Sequence, residues 1–134
     1  MIYLLDTNVC VQFLNGRSDA IRERMRRTDA DDIAVCSIVK AELYYGAERS
    51  QQLLRTLARQ DQFLARFTSL PFDDDAARVY GQIRAQLAAR GTPIGSNDLQ
   101  IAAIALTHEL ILVTHNTGEF SRVPGLRLED WELE

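Results

Sequence analysis

Long apolar runs are missing from this 134-residue chain, and none approaches the roughly 18 residues a membrane-spanning helix requires. No membrane segment is expected. The first residues carry no basic leader, which speaks against a secretory signal. Cysteine is scarce as well. Cys10 and Cys36 sit in apolar settings without the spacing of metal ligands, so neither a disulfide framework nor a thiolate metal site is expected. Buried reduced thiols of this kind suit a cytoplasmic protein. Lysine is nearly absent, Lys40 being the only one among 15 basic residues. The net charge of −4 does not favour a polyanionic partner, but the charge is unevenly spread. Arg22, Arg24, Arg26 and Arg27 stand against Glu23, whereas Glu129, Asp130, Glu132 and Glu134 stand against Arg127. The basic run reads first as a solvated helix face and second as a rim for nucleic acid. Repeats, linkers and low-complexity tracts are lacking too, which leaves a single domain over residues 1–134.

What is present is an alternation of short apolar runs and helical patterns. Ile2, Tyr3, Leu4 and Leu5 form a run too short for a core helix and without polar alternation, so it reads as a strand buried on both faces. A helical turn over residues 9–14 is closed by Asn15-Gly16, and Ser18 or Asp19 caps a basic helix ending at Arg27. Ile33–Cys36 is a second buried strand, after which Ser37 is expected to cap a helix running to Gly46. Over residues 51–67 the positions Leu53, Leu54, Leu57, Ala58, Leu64 and Phe67 recur at helical spacing. Leu70-Pro71-Phe72 is at best an edge strand. Asp73, Asp74 and Asp75 open a helix with Val79, Tyr80, Ile83 and Leu87 along one face, broken by residues 91–95. Ser96 is expected to cap the next helix, whose stripe is Leu99, Ala102, Ala103, Leu106 and Leu110. Strands follow at residues 111–114 and 126–128, separated by a loop and helical turn. Strands alternating with helices predict a three-layer α/β domain, with a central parallel sheet of four or five strands flanked by helices.

Three carboxylates interrupt this apolar pattern at matching places. Asp6 ends the first strand, Glu42 projects from an apolar stretch in the helix after the second, and Asp98 lies in the first turn of a buried helix. Asn116 follows the strand over residues 111–114. Singly, each acid reads as a cap or an ion-pair partner. Together, at the carboxyl ends of parallel strands, they would repel one another unless a cation lay between them. Oxygen donors without a helping Cys or His favour Mg2+, with Mn2+ as the other choice, and Mg2+ points to phosphodiester hydrolysis.

The chain resembles the PIN-domain ribonucleases, and within them the VapC toxins of type II toxin–antitoxin pairs. The resemblance is carried by Leu4-Leu5-Asp6-Thr7-Asn8 and by residues 37–43 followed by Tyr45-Gly46-Ala47. It continues in residues 91–98 with Ile101-Ala102-Ala103, and in Val113-Thr114-His115-Asn116 with Glu119-Phe120. It implies a PIN-like fold, catalytic acids at Asp6, Glu42 and Asp98 holding one or two Mg2+ or Mn2+ ions, and cleavage of RNA, often tRNA. The products it implies carry 5′-phosphate and 3′-hydroxyl ends. It also implies a VapB-like antitoxin lying across the site with a basic side chain, and a homodimer. Tyr44 and Tyr45 are the pair considered for that packing. Asn116 stands where many relatives have a fourth acid, and it enters the site as a weaker catalytic candidate. Glu119 is the nearest substitute acid, but it is better read as the partner of Asn116 in a capping-box pattern.

Other residues have plainer readings. Thr7 and Asn8 make a turn and are placed to hydrogen-bond Asp6 or the substrate. His108 reads as structural or exposed, His115 lies near the expected site with contact to RNA as its lesser reading, and Trp131 reads as a packing anchor. A haloacid-dehalogenase-type phosphatase would want an Asp where Asn8 stands. A receiver domain would want a Lys at the end of a later strand, and Lys40 is the only lysine. The non-enzymatic alternative is a catalytically weak or inactive PIN module that binds RNA or a protein partner.

Overall fold

The computed structural model describes residues 1–133; Glu134, counted above in the acidic C-terminal cluster, lies outside them. Five strands are formed: β1 (Tyr3–Leu5), β2 (Ile33–Cys36), β3 (Thr68–Leu70), β4 (Ile111–Val113) and β5 (Leu128–Glu129). They pair in the order β3-β2-β1-β4-β5, every pair parallel. Every residue of β2 is buried, as are Leu4, Leu5, Leu112 and Val113, so both faces of the sheet centre are covered as the unbroken apolar runs require. The chain steps outward from β1 through β2 to β3, then returns to the other side of β1 with β4 and β5. The reversal places a topological switch point at the carboxyl ends of β1 and β4, where such sheets gather ligands.

Among the described residues seven α-helices surround the sheet: α1 (Thr7–Leu14), α2 (Asp19–Arg27), α3 (Ser37–Glu48), α4 (Leu53–Leu64), α5 (Asp74–Ala89), α6 (Ser96–Thr107) and α7 (Thr117–Phe120). The α/β architecture with a parallel sheet and flanking helices is as expected. None of the helices among the described residues is long and apolar enough to cross a membrane. Helix α6 is more deeply set than its expected stripe. Ile101, Ile104 and Ala105 are buried along with Leu99, Ala102 and Ala103, so the helix is apolar nearly all round and forms a rigid post for its first turn.

Several boundaries differ, each for a local reason. Cys36 and Gly95, not Ser37 and Ser96, occupy the N-cap positions of α3 and α6, and neither serine makes a capping bond to the backbone. Ser18 and Asp73 do cap, accepting from the amides of Ile21 and Ala76. Helix α1 begins directly at Thr7 because Asp6 itself is its cap. Helix α6 ends at Thr107, so Leu110 is buried beyond the helix; Glu109 takes φ 55° and the amide of Leu110 turns back to the carbonyl of Ala105. That is the same reversal that Gly16 and Gly91 make after α1 and α5, but without a glycine to announce it. The edge strand lies at Thr68–Leu70, ahead of Pro71, and the last strand is displaced to Leu128–Glu129. In α4, Leu54 is 82% exposed and does not join the apolar face.

Candidate active site

Asp6 is fixed by two neighbours at the switch point. Its Oδ1 accepts the amide of Thr7 at 2.8 Å and its Oδ2 accepts the hydroxyl of Thr114 at 2.8 Å. Leu5 pairs with Val113 across the sheet, so Asp6 and Thr114 are the next residues of two adjacent parallel strands. Burial pushes the Asp6 carboxyl above its ordinary value, partly opposed by these two bonds and reinforced by the charge of Glu119. The hydroxyl of Thr114 also accepts the amide of Asn116 at 3.0 Å, so one buried oxygen ties Asp6 to the loop after β4.

Glu42 lies on the second turn of α3, half-buried, and its Oε1 accepts the Thr7 hydroxyl at 2.9 Å. Thr7 therefore links two of the expected acids, one through its amide and one through its side chain. Asn8 is exposed and makes no such bond. Beside Glu42 a cavity of about 220 Å³ opens between α1, α3 and α4, lined by Val11, Leu14, Arg59 and Gln60 among others.

Asp98 occupies the third position of α6. Its carboxyl is pushed up to about 7, first by burial and then by the charges of Asp6 and Glu119, a shared hydrogen bond with Glu119, and the charge of Glu42. Glu119 moves the other way. It is held below the usual range by the Gly95 amide on its Oε1 at 2.9 Å, then by the Asn116 amide on its Oε2 at 2.8 Å, by Asp98 and by Arg122. Of the two carboxyls, Asp98 is the one pushed toward its protonated form.

The structure thus brings Asp6, Glu42 and Asp98 to one edge and adds Glu119 to them. The capping-box reading of Asn116 and Glu119 is not met. Asn116 is the N-cap residue of α7, but its side chain makes no capping bond and instead orients Glu119 toward Gly95 and Asp98. None of the four acids takes part in an ion pair among the described residues. Thr114 has no assigned role in the sequence, because that role depends on which strand lies beside β1; Glu119, the nearest substitute acid but better read there as part of a cap, reaches α6 through a contact 24 residues back. His115 points to Asp130 and Glu132 instead of the acids. The α2 arginines are largely engaged locally, Arg22 with Asp19, Arg24 with Glu129, and Arg26 and Arg27 with Glu23. Trp131 is buried as a packing anchor, edge-on to Tyr3 with Arg24 over its ring. Both cysteines are buried and free, and burial raises the Cys36 thiol to about 11.

Comparison with known proteins agrees with this geometry. The family described as PIN domain matches residues 3–126. The tRNA(fMet)-specific endonuclease VapC of Salmonella typhimurium is 43% identical over 129 residues, covering 96% of this chain and 97% of its own. Ribonuclease VapC2 of Rickettsia felis is 39% identical over 133 residues, covering 98% and 99%. Among solved structures, the DNA-bound VapBC of Salmonella typhimurium superposes with a TM-score of 0.92 at 42% identity, covering 98% of each chain. VapBC2 of Rickettsia felis, bound to a promoter DNA fragment, gives 0.91 at 39% identity over 98% and 99%. With its acids gathered where a parallel sheet reverses its strand order, this chain belongs to the PIN domain family, and within it to the VapC ribonucleases.

Proposed function

We propose that this protein is a metal-dependent endoribonuclease and the toxin of a type II toxin–antitoxin pair. The observation that carries the reading is the meeting of Asp6, Glu42, Asp98 and Glu119 at the switch point with no basic partner in ion-pair range among the described residues. Such an arrangement raises carboxyl pKa values until a cation compensates it, and an all-oxygen donor set fits Mg2+ or Mn2+. Asp6, Glu42 and Asp98 are the proposed ligands, with Glu119 beside them. Bound there, the ion supplies an activated water and charge compensation at the phosphate. The chain's own residues prepare the site. Thr114 and Thr7 orient Asp6, Thr7 also holds Glu42, and Asn116 and Gly95 hold Glu119 beside Asp98.

The proposed substrate is RNA, and tRNA is the first class to test because the Salmonella relative is named for tRNA(fMet). The proposed partner is a VapB-like antitoxin, since solved relatives are VapBC complexes; its C-terminal segment would lie over the acids with a basic side chain among them. A homodimer is proposed as well. Of the tyrosine pair only Tyr45 is well exposed, at 64%, while Tyr44 is half-buried and donates to Asp61, so Tyr45 alone is offered for that contact. The alternative of an inactive binding module rested on Asn116 and on the acidic charge balance; Glu119 supplies beside Asp98 the carboxylate that Asn116 lacks, which supports turnover.

The test is cleavage of total bacterial RNA by antitoxin-free protein with Mg2+, with Mn2+ and with chelator, beside Asp98→Asn. Discrete metal-dependent fragments, absent in the variant, are expected, and sequencing their ends names the target. Intact RNA in every metal condition would make the binding module the leading reading.

A further inference from the structure

Outside the acidic site, a second set of donors converges on one point. His115 Nδ1 lies 2.9 Å from Asp130 Oδ2 and 3.0 Å from Glu132 Oε2. Among the described residues this is the only group of three or more such donors whose ligand atoms all lie within 4.8 Å of one another. The turn that presents the two carboxylates is built. Trp131 between them is buried in the core while Asp130 and Glu132 both reach His115, so the turn presents the two carboxylates to one point. Asp130 Oδ1 accepts the Glu132 amide at 3.0 Å, which fixes the turn, and the Asp130 side chain is only 9% exposed.

Hydrogen bonding leaves this cluster incomplete. One imidazole nitrogen offers one proton or one lone pair. The contact to Asp130 has hydrogen-bond geometry, whereas Glu132 Oε2, at nearly the same distance from the same nitrogen, does not form a hydrogen bond there. The nearby arginine does not help, because Arg24 pairs with Glu129. His115 is the only basic group within ion-pair distance of Asp130 or Glu132 among the described residues. One shared nitrogen thus faces two carboxylates, one of them 91% buried by the same measure. A divalent ion relieves both shortages at once, accepting the imidazole lone pair and both carboxylates. Ligand atoms around a tetrahedral Zn2+ stand roughly 3.3–3.6 Å apart, given bonds of about 2.0–2.2 Å, so the two distances from His115 need only a slight opening, and the carboxylate oxygens lie within 4.8 Å of each other.

We propose that His115, Asp130 and Glu132 form a second divalent transition-metal site, of the Zn2+ class, that fastens the C-terminal segment to the carboxyl end of β4. An imidazole with two carboxylates suits Zn2+ and its neighbours in the series, whereas the all-oxygen set at Asp6 suits Mg2+. The site adjoins Asn116 in the chain, so fastening it also steadies the loop that carries Asn116 toward Glu119.

The test is calorimetric titration of the whole protein with Zn2+ in millimolar Mg2+, which occupies oxygen-only sites, following the emission of Trp131, the single tryptophan. Wild type and Asp98→Asn should each bind one Zn2+ with equal affinity and a change in Trp131 emission. His115→Ala and Asp130→Asn should bind at least about tenfold more weakly, the latter keeping an oxygen for the Glu132 amide so that the turn survives. Undiminished affinity in His115→Ala, or no Zn2+ uptake by wild type under these conditions, would overturn the proposal. Binding lost in Asp98→Asn but kept in His115→Ala would place the ion at the Asp6 site instead and equally overturn it.

Discussion

Burial and the charges of Asp6, Glu119 and Glu42 push the Asp98 carboxyl up to about 7, so folding favours its protonated form, which can donate to Glu119. Asn in its place keeps a donor for Glu119 and removes one negative charge from the cluster. Asp98→Asn is therefore expected to abolish RNA cleavage while the fold persists. In chelator at pH 7.5 it should raise unfolding stability by about 1 kcal/mol, a figure discounted for the half-exposed setting of the carboxyl. Urea unfolding at that pH checks it, and a clear loss of stability would count against the like-charge account. Thr114→Val tests the orientation of Asp6 with almost no change of shape. It takes a hydrogen bond from Asp6 and the acceptor from the Asn116 amide, at a cost of about 1–3 kcal/mol, and cleavage should fall even where the variant remains folded. Asp6, Glu42 and Asp98 were legible from sequence because each puts a charge where the apolar pattern wants none. The role of Thr114 was not, since a threonine ending a strand is unremarkable until the sheet pairs β4 with β1; Glu119 could be named as a substitute acid but not told from a helix cap without its contact to Gly95.

At the scale of elements, the strands and helices could be read from apolar runs and spacing, but their ends depended on which residue adopts an unusual backbone. Gly16 and Gly91 mark the ends of α1 and α5 in the sequence itself. The end of α6 has no such mark, because Glu109 adopts the left-handed conformation, with Arg127 donating to its carbonyl at 2.9 Å. The apolar stripe therefore ran on to Leu110 when only sequence was considered. Glu109→Gly should stabilise the protein by about 0.5–1 kcal/mol in chemical denaturation, since a side chain in this region is strained and glycine is not. Capping offers the complementary test. Ser18→Ala and Asp73→Ala should each cost about 1 kcal/mol, because both side chains satisfy a backbone amide of the first turn. Ser37→Ala should be close to neutral, because Ser37 sits one position inside the helix it was expected to cap. The sheet's strand order was beyond sequence reading for a different reason: alternation shows that strands are parallel, not which neighbours which.

For the whole molecule, the folded state gathers acids that the unfolded chain keeps apart, and this sets how stability depends on pH. Asp98 and Asp6 have carboxyl pKa values raised by folding from an ordinary 3.8, Asp98 to about 7. The native state then binds more protons than the unfolded state between those limits, so stability falls as pH rises from about 4 to 7. Glu119, lowered from 4.5, acts oppositely and contributes stability that is lost as pH falls through the acid range. In chelator the unfolding midpoint should therefore peak in mildly acidic solution and decline toward pH 7.5. A divalent ion binds only the deprotonated native cluster, so adding Mg2+ or Mn2+ should restore the midpoint above pH 6 and do little near pH 4.5. Thermal unfolding across this range, with and without ion, checks both halves of the argument. Asp98→Asn should flatten the chelated profile. A wild-type midpoint that rises steadily to pH 7.5 in chelator would mean that the four acids do not repel one another in the folded protein, and the case for a cation at this edge would fail with it.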